Sequence, residues 1–261
     1  MARSALLNVM VQAALKAGRK LARDFGELEN LQVSRKGPGD FVTNADLQAE
    51  KTLTDELRRA RPNFGFLREE SGAEEGLDKS HRWIIDPLDG TTNFLHGIPI
   101  FSISIALEHE GRIIAGVIYN PATDDLFTAE RGRGAFHNDR RMRVAARDDI
   151  HDCVIGTGIP HLGRGKHKPY LAHLENVMAE VSGIRRLGSA ALDMAYVASG
   201  RFDGFWEESI NAWDIAAGVL MVREAGGFVT DMEGGDKMLE IGSVIAGNEL
   251  IRMRLEKILK K

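Results

Sequence analysis

The amino-acid sequence predicts an α/β (α+β) protein, and three observations carry that class. Apolar residues recur at three- and four-residue steps over residues 3–25, the period of an amphipathic helix. Over residues 82–136 they alternate with polar or small ones, the period of strands. Beyond residue 150, short apolar runs and helical patterns take turns, with no internal repeat and no Pro/Ser-rich linker. A chain of 261 residues can bury a large core without disulfide or metal staples.

The elements follow in order. The first helix presents Leu6, Val9, Met10, Ala13, Ala17 and Leu21 on one stripe. Lys36-Gly37-Pro38-Gly39 reads as a loop. A second helix is expected over 43–60, because Thr43 followed by Asp46 matches a capping box and Arg61-Pro62-Asn63 stops it. Residues 82–86 form a short apolar strand that ends in acid. Phe101, Ile103, Ile105 and Leu107 alternate, and a second strand over 112–119 follows Glu110-Gly111, so the pair reads as a hairpin. Residues 125–129 and 134–136 read as further short strands. Strands are then expected at 153–157, 184–187, 202–206, 228–230 and 243–246. Helices are expected at 169–181, 189–199, 213–225 and from Glu249 onward. Charged loops near 140–150 and 161–168 divide the chain into subregions 1–145 and 146–261 of one compact unit, 1–261.

Composition narrows the function. Hydrophobic residues make up 43% and charged residues 28%, ordinary for a globular protein. A net charge of −4 gives no global attraction for nucleic acid or an anionic membrane. An acidic chain that handles an anionic substrate must gather positive charge locally, and a bound metal does that. Cys153 is the single cysteine, which rules out an intramolecular disulfide or a thiolate cluster and fits a reducing compartment. The eight histidines show no zinc spacing; His161, His167 and His173 read as a surface loop. Lys16, Arg19, Lys20 and Arg23 follow the first apolar stretch too closely for a signal peptide. A cytoplasmic protein is expected.

The chemistry-bearing segment is Trp83-Ile84-Ile85-Asp86-Pro87-Leu88-Asp89-Gly90-Thr91-Thr92-Asn93. An apolar strand delivers two aspartates three residues apart, followed by a Gly-Thr-Thr turn. Carboxylates suit hard cations such as Mg²⁺, and Pro87 restricts the turn between them. Taken alone, Asp86 and Asp89 also fit as turn or cap residues. Three other acidic places stand beside them. Glu69-Glu70 follow Phe66-Leu67-Arg68 and would otherwise be a solvated pair. Asp46 would otherwise be a helix cap. Asp214, in Trp213-Asp214-Ile215, would otherwise be an acid in a first helical turn. Spacing alone does not bring the four together.

In order, the blocks Gly39-Asp40-Phe41-Val42-Thr43-x-x-Asp46, Glu69-Glu70-Ser71-Gly72, Trp83 to Asn93, Gly188-Ser189-Ala190-Ala191 and Trp213 to Gly218 with Glu224-Ala225-Gly226-Gly227 resemble the inositol monophosphatase family. That family lies within the metal-dependent, lithium-sensitive phosphatases, and the blocks run from about residue 36 to 247. The resemblance implies a layered αβαβα sandwich, a homodimer and two or three Mg²⁺ ions. It implies metal ligands at Glu69, Asp86, Asp89 and Asp214 and the backbone carbonyl of Leu88. It implies an Asp46–Thr91 pair that orients water, with Glu69 also counted among the catalytic groups. Gly90 and Thr91 N–H groups would hold the phosphate. Gly188, Ser189, Ala190 and Glu207, with Asp214, would line the alcohol pocket, and Lys36 would lie nearby. Two places depart from the pattern. Arg68 stands before the glutamates, where it would alter charge near the metals. Glu207-Glu208-Ser209-Ile210-Asn211-Ala212 leaves the leaving-group specificity open.

The implied activity is hydrolysis of a small phosphate monoester, foremost myo-inositol 1-phosphate, by a metal-activated water. The alternatives are fructose 1,6-bisphosphate, a 3′-phosphoadenosine nucleotide or histidinol phosphate as substrate, or a non-catalytic role in a transcription complex. The chain shows no basic stripe for direct nucleic-acid binding and no membrane segment. Arg185-Arg186 face a substrate or partner, or merely flank a strand. Gly132 and Gly134 lack the spacing of a dinucleotide loop and fit a β-turn.

Overall fold

A computed structural model describes residues 3–27, 33–37, 40–161 and 165–261, without the side chains of 33–37 and 40–42. Helix α1 (Ala5–Phe25) begins at Ser4, whose hydroxyl accepts a bond from Leu7 N at 3.1 Å. Leu7, Met10, Val11, Ala14 and Leu21 face inward. A hairpin, β1 (Val33–Gly37) and β2 (Asp40–Thr43), leads to α2 (Asn44–Ala60). The sequence reading has a loop at 36–39 and no strand beside it, whereas Lys36 and Gly37 end β1. The hairpin's first strand is Val33-Ser34-Arg35-Lys36-Gly37, too polar to show apolar alternation. The capping box of α2 is formed as the sequence predicts.

The larger sheet holds eight strands. They are β3 (Phe64–Arg68), β4 (Gly72–Glu74), β5 (Asp78–Asp89), β6 (Ser102–His109), β7 (Arg112–Asn120), β8 (Asp125–Glu130), β9 (Gly134–His137) and β10 (Arg140–Arg141). Their spatial order is β10-β9-β8-β7-β6-β5-β3-β4. Only β3 and β5 run parallel within it. Between β5 and β6 sits the short helix α3 (Thr91–Leu95). The Gly132–Gly134 segment is the turn between β8 and β9, and both glycine N–H groups donate to the Glu224 carboxylate, at 2.8 and 2.7 Å.

The second half contributes β11 (Val154–Thr157), α4 (His167–Met178), β12 (Gly183–Arg185), α5 (Ala190–Ala198), β13 (Gly204–Glu208), α6 (Ala212–Glu224), β14 (Phe228–Thr230), α7 (Met238–Ile241), β15 (Ser243–Gly247) and α8 (Glu249–Leu259). Its sheet runs β12-β11-β13-β15-β14. The strand expected at 184–187 ends at Arg185, which frees Arg186 to Ser189 to turn toward the larger sheet.

Side-chain alternation separates the layers. Trp83 and Ile85 point to one face of the larger sheet and pack with α1 and α2. Ile84 points to the other, where α5 and α6 lie between the two sheets beside Phe205, Val244 and Ala246. Trp206 and Ile245 face the far side, against Tyr170 and Val177 of α4 and Ile251 and Leu255 of α8. The order helix, sheet, helix, sheet, helix is the expected αβαβα sandwich. Trp83 is fully buried, and truncating such a side chain costs about 3–5 kcal/mol. The middle layer packs closely: a Cβ on Gly116 of β7 would lie 3.2 Å from Ala217 Cα of α6. That approach seats α6 on the middle of the larger sheet.

Candidate active site

The site lies where the C-terminal ends of β3 and β5 meet the N-termini of α2, α5 and α6. In a regular strand, residues three apart point to opposite faces, so Asp86 and Asp89 should diverge. They do not, because the register with β6 slips between them: Asp86 pairs with Ser104 and Asp89 with Ser102. Three steps on β5 oppose two on β6, and a bulge of this kind re-aims a side chain. Leu88 N donates to Asp86 Oδ1 at 2.9 Å and holds the bulge.

Each remaining carboxylate arrives by its own local device. Glu69 follows β3 directly, and its N–H donates to Ile85 O at 3.1 Å, beside Asp86. The turn carrying it is tied to α2, because the buried carboxylate of Glu50 accepts from Glu70 N at 2.9 Å and from Ser71 Oγ. Asp214 sits in the first turn of α6, where its Oδ2 accepts from Asn211 N at 2.8 Å. Carboxylate oxygens of Asp86, Asp89 and Asp214 lie within 4.8 Å of one another. Burial pushes the Asp86 carboxyl well above the ordinary carboxylate range, and the charges of Glu69, Asp89 and Asp214 push it further.

Asp46 and Thr91 complete the group. Asp46 is buried on α2, and its Oδ2 is fully engaged by Thr43, from N at 2.8 Å and Oγ1 at 2.6 Å. Its Oδ1 accepts from Thr91 Oγ1 at 3.1 Å, which also lies 3.0 Å from Leu88 O. Burial raises the Asp46 carboxyl, while the Thr43 and Thr91 bonds act the other way. Gly90 precedes Thr91 with φ +93°, and a Cβ there would lie 3.0 Å from Ile100 O and 3.1 Å from Gly188 O. Glycine is the residue that tolerates both constraints.

A cleft of about 330 Å³ opens beside this cluster, lined among others by Asp89, Gly188, Ser189, Ala190, Glu207 and Asp214. Ser189 caps α5, and its hydroxyl donates to Asp89 Oδ2 at 2.6 Å, as does Ala191 N at 2.8 Å. Glu207 reaches the cleft from β13 and presses on Gly158; a Cβ there would fall 1.9 Å from Glu207 Cδ. All twelve site positions expected from the sequence therefore lie around one carboxylate cluster and its cleft. The Lys36 side chain lies outside the described residues. Arg68 pairs with Glu74 of β4 at 2.9 Å.

Three residues were not singled out by sequence reasoning. Glu50 shares the buried face of α2 with Asp46 at i, i+4, a pattern that signals a buried acid in search of donors. Asp193 is buried in the first turn of α5 yet lines the cleft. Tyr170 of α4 lines it as well. Arg186 lies in the cleft wall, one of the placements its position left open.

The donor set fits a hard divalent cation. Four carboxylates act on one another here, and the charges with the largest effect on Asp86 among the described residues are all acidic. Such a group is stable when protons or a metal offset its charge. The cluster is all oxygen, with no histidine or cysteine in it among the described residues, which suits Mg²⁺ rather than zinc.

A bulged strand end carrying clustered carboxylates, inside an αβαβα sandwich, defines the class of metal-binding phosphatases that the motifs resembled. The inositol monophosphatase family model matches residues 2–261, and the chain belongs to that family. It is 69% identical to an inositol-1-monophosphatase of Mesorhizobium japonicum, covering 100% of this chain and 98% of that one. The crystal structure of extragenic suppressor protein suhB from Bartonella henselae superposes with a TM-score of 0.96 at 66% identity, covering 99% of both chains. A putative Nus factor SuhB of Neisseria meningitidis serogroup B is 44% identical over 97% of both.

Proposed function

We propose that this chain is a Mg²⁺-dependent phosphatase that hydrolyses myo-inositol 1-phosphate to inositol and phosphate. One observation carries the reading: carboxylates from three separate segments converge at the end of β5, beside a threonine hydroxyl held by a buried aspartate. Relatives at high identity bear the name inositol-1-monophosphatase, and the family is metal-dependent.

Glu69, Asp86, Asp89 and Asp214, with the Leu88 carbonyl, would hold two or three Mg²⁺ ions. Bound there, Mg²⁺ would offset the charge of the phosphoryl oxygens and lower the pKa of a water so that it is available as hydroxide near neutral pH. The chain's own groups orient the reaction. Thr91 Oγ1 would donate to Asp46 Oδ1 at 3.1 Å in preference to Leu88 O at 3.0 Å, leaving its lone pairs to accept a hydrogen bond from the water. Asp46 cannot rotate away, because its Oδ2 is held twice by Thr43. Its raised affinity for a proton improves it as the final acceptor. The Gly90 and Thr91 N–H groups would hold the phosphate in line. Gly188, Ala190 and Glu207 would border the alcohol, with a carboxylate to accept its hydroxyl protons. Ser189 borders it too and supports Asp89.

The test is phosphate release from inositol 1-phosphate with and without Mg²⁺. Fructose 1,6-bisphosphate, a 3′-phosphoadenosine nucleotide and histidinol phosphate run beside it. Mg²⁺-dependent turnover highest on the inositol ester supports the proposal. A clear preference for another ester keeps the metal site and rejects the polyol reading. A second reading, a role in a transcription complex, follows from the relatives named Nus factor. Capture of transcription proteins by an Asp89→Asn variant as well as by wild type would favour it. A homodimer of one 1–261 unit is part of the proposal, and sedimentation at micromolar concentration tests it. No described helix is long and apolar enough to cross a membrane.

A further inference from the structure

Asp193 has no part in the chemistry above, yet its position is unusual. It stands in the first turn of α5, four residues after the cap Ser189, with its N–H on Ser189 O at 2.9 Å. The residue is only 1% exposed, and it borders the cleft. Its Oδ1 is buried and has no hydrogen-bond partner among the described residues. A buried polar atom without a partner is costly, and native proteins rarely keep one without a use. Burial is the largest cause raising the Asp193 carboxyl, Glu207 of β13 and Asp89 at the end of β5 raise it further, and Arg186 in the cleft wall acts the other way.

Two acids facing one cleft from different elements supply unlike hydrogen-bonding capacity. Burial raises the Asp193 carboxyl well above the ordinary carboxylate range, with Glu207 and Asp89 acting the same way, and a carboxyl that keeps its proton is a donor through its O–H. Glu207 supplies acceptor oxygens. A ring hydroxyl gives one hydrogen bond and accepts others, so adjacent hydroxyls of a polyol satisfy both acids together. An alkyl group satisfies neither. We propose that Asp193 is a second specificity-determining carboxyl of the alcohol pocket, donating a hydrogen bond to a ring hydroxyl of the leaving polyol while Glu207 accepts one. The inference rests on the polyol phosphatase reading above and adds a residue that selects polyhydroxylated leaving groups over plain ones.

The experiment compares kcat and KM for inositol 1-phosphate and for propyl phosphate, whose leaving group has no further hydroxyl. Wild type, Asp193→Leu and Asp193→Asn are measured at saturating Mg²⁺. Leucine keeps the γ-branched shape with slightly larger methyls and removes all hydrogen bonding, and thermal melting checks that the protein folds. Asparagine keeps a donor. Asp193→Leu should lower the kcat/KM ratio of inositol ester to propyl ester about ten-fold or more, as a lost hydrogen bond to a buried group does. The loss should fall mainly on KM. Asp193→Asn should restore most of the ratio. An unchanged ratio in Asp193→Leu, or equal losses on both esters, overturns the inference and leaves Asp193 a packing residue. The wild-type rates separate the two failures. Wild type inactive on the inositol ester sinks the proposed function and this inference with it. Wild type active with an unchanged ratio in the variants sinks the inference alone.

Discussion

Ser189→Ala separates two roles for one hydroxyl. The sequence placed Ser189 in the alcohol pocket; the structure puts its Oγ 2.6 Å from Asp89 Oδ2. A hydroxyl at this distance from a carboxylate makes a charge-assisted bond, worth about 1.5–3 kcal/mol when removed. At about 1.4 kcal/mol per decade, that corresponds to roughly ten- to hundred-fold in whatever equilibrium depends on Asp89. Asp89 keeps its bond from Ala191 N at 2.8 Å, so the lower end is expected. Groups that hold a ligating carboxylate typically cost a metal site about 10–100-fold when lost, the same range. The cap contributes less, because Leu192 N lies 3.4 Å from Ser189 Oγ. Its loss costs about 0.5 kcal/mol, or roughly 1–2 °C in Tm for a chain of this size. The assay is phosphate release titrated with Mg²⁺ at saturating inositol 1-phosphate, then with substrate at saturating Mg²⁺. Half-saturating Mg²⁺ should rise about ten-fold while KM moves little, and Ser189→Thr should recover most of the loss. An unchanged Mg²⁺ requirement with a raised KM would refute the argument and return Ser189 to the alcohol pocket.

Three further outcomes are expected. Thr91→Ala should lower kcat by about 10²-fold or more and leave half-saturating Mg²⁺ within a few-fold; a dominant effect on Mg²⁺ would reassign Thr91. Glu50→Ala removes the acceptor for Glu70 N and Ser71 Oγ and should cost about 2 kcal/mol, or roughly 4–8 °C in Tm. Because the same turn carries Glu69, Mg²⁺ affinity should fall too, and a lower Tm with normal Mg²⁺ titration would show that Glu69 is held otherwise. The Asp86 carboxyl is raised above its unfolded value of 3.8. Its share of stability is therefore fully present below about pH 4 and lost as pH rises through the raised folded value. Metal-free protein in chelator should melt lower at pH 8 than at pH 5.5, and saturating Mg²⁺ should narrow the gap. A metal-free Tm that rises over that interval would contradict the clustering of the acids.

Legibility differed from element to element. The α2 cap could be read in advance, because Thr43 and Asp46 are three residues apart and bond within one turn. The β5–β6–β7 meander was legible for a similar reason, since alternation and a Glu-Gly turn are local signals. The β1–β2 hairpin was missed because its first strand is polar, and α7, four residues long, gives too few positions for a period. At the site, the acidic residues and their order were enough to identify the family, although their spacing did not show how they meet.

The sequence by itself determined the α/β class, through short-range periodicity, and the family, through ordered motifs; the layered sandwich and the set of site residues came with that resemblance. Tertiary structure alone decided the rest. The slip of β5 against β6 turns Asp86 and Asp89 to one side, and pairing register is a property of two strands. The Ser189 hydroxyl reaches Asp89 across 100 residues, a contact set by the packing of α5 on the larger sheet. Asp193 reads as an ordinary first-turn acid; only its burial at the wall of a cleft, opposite Glu207, makes it a group in need of a partner.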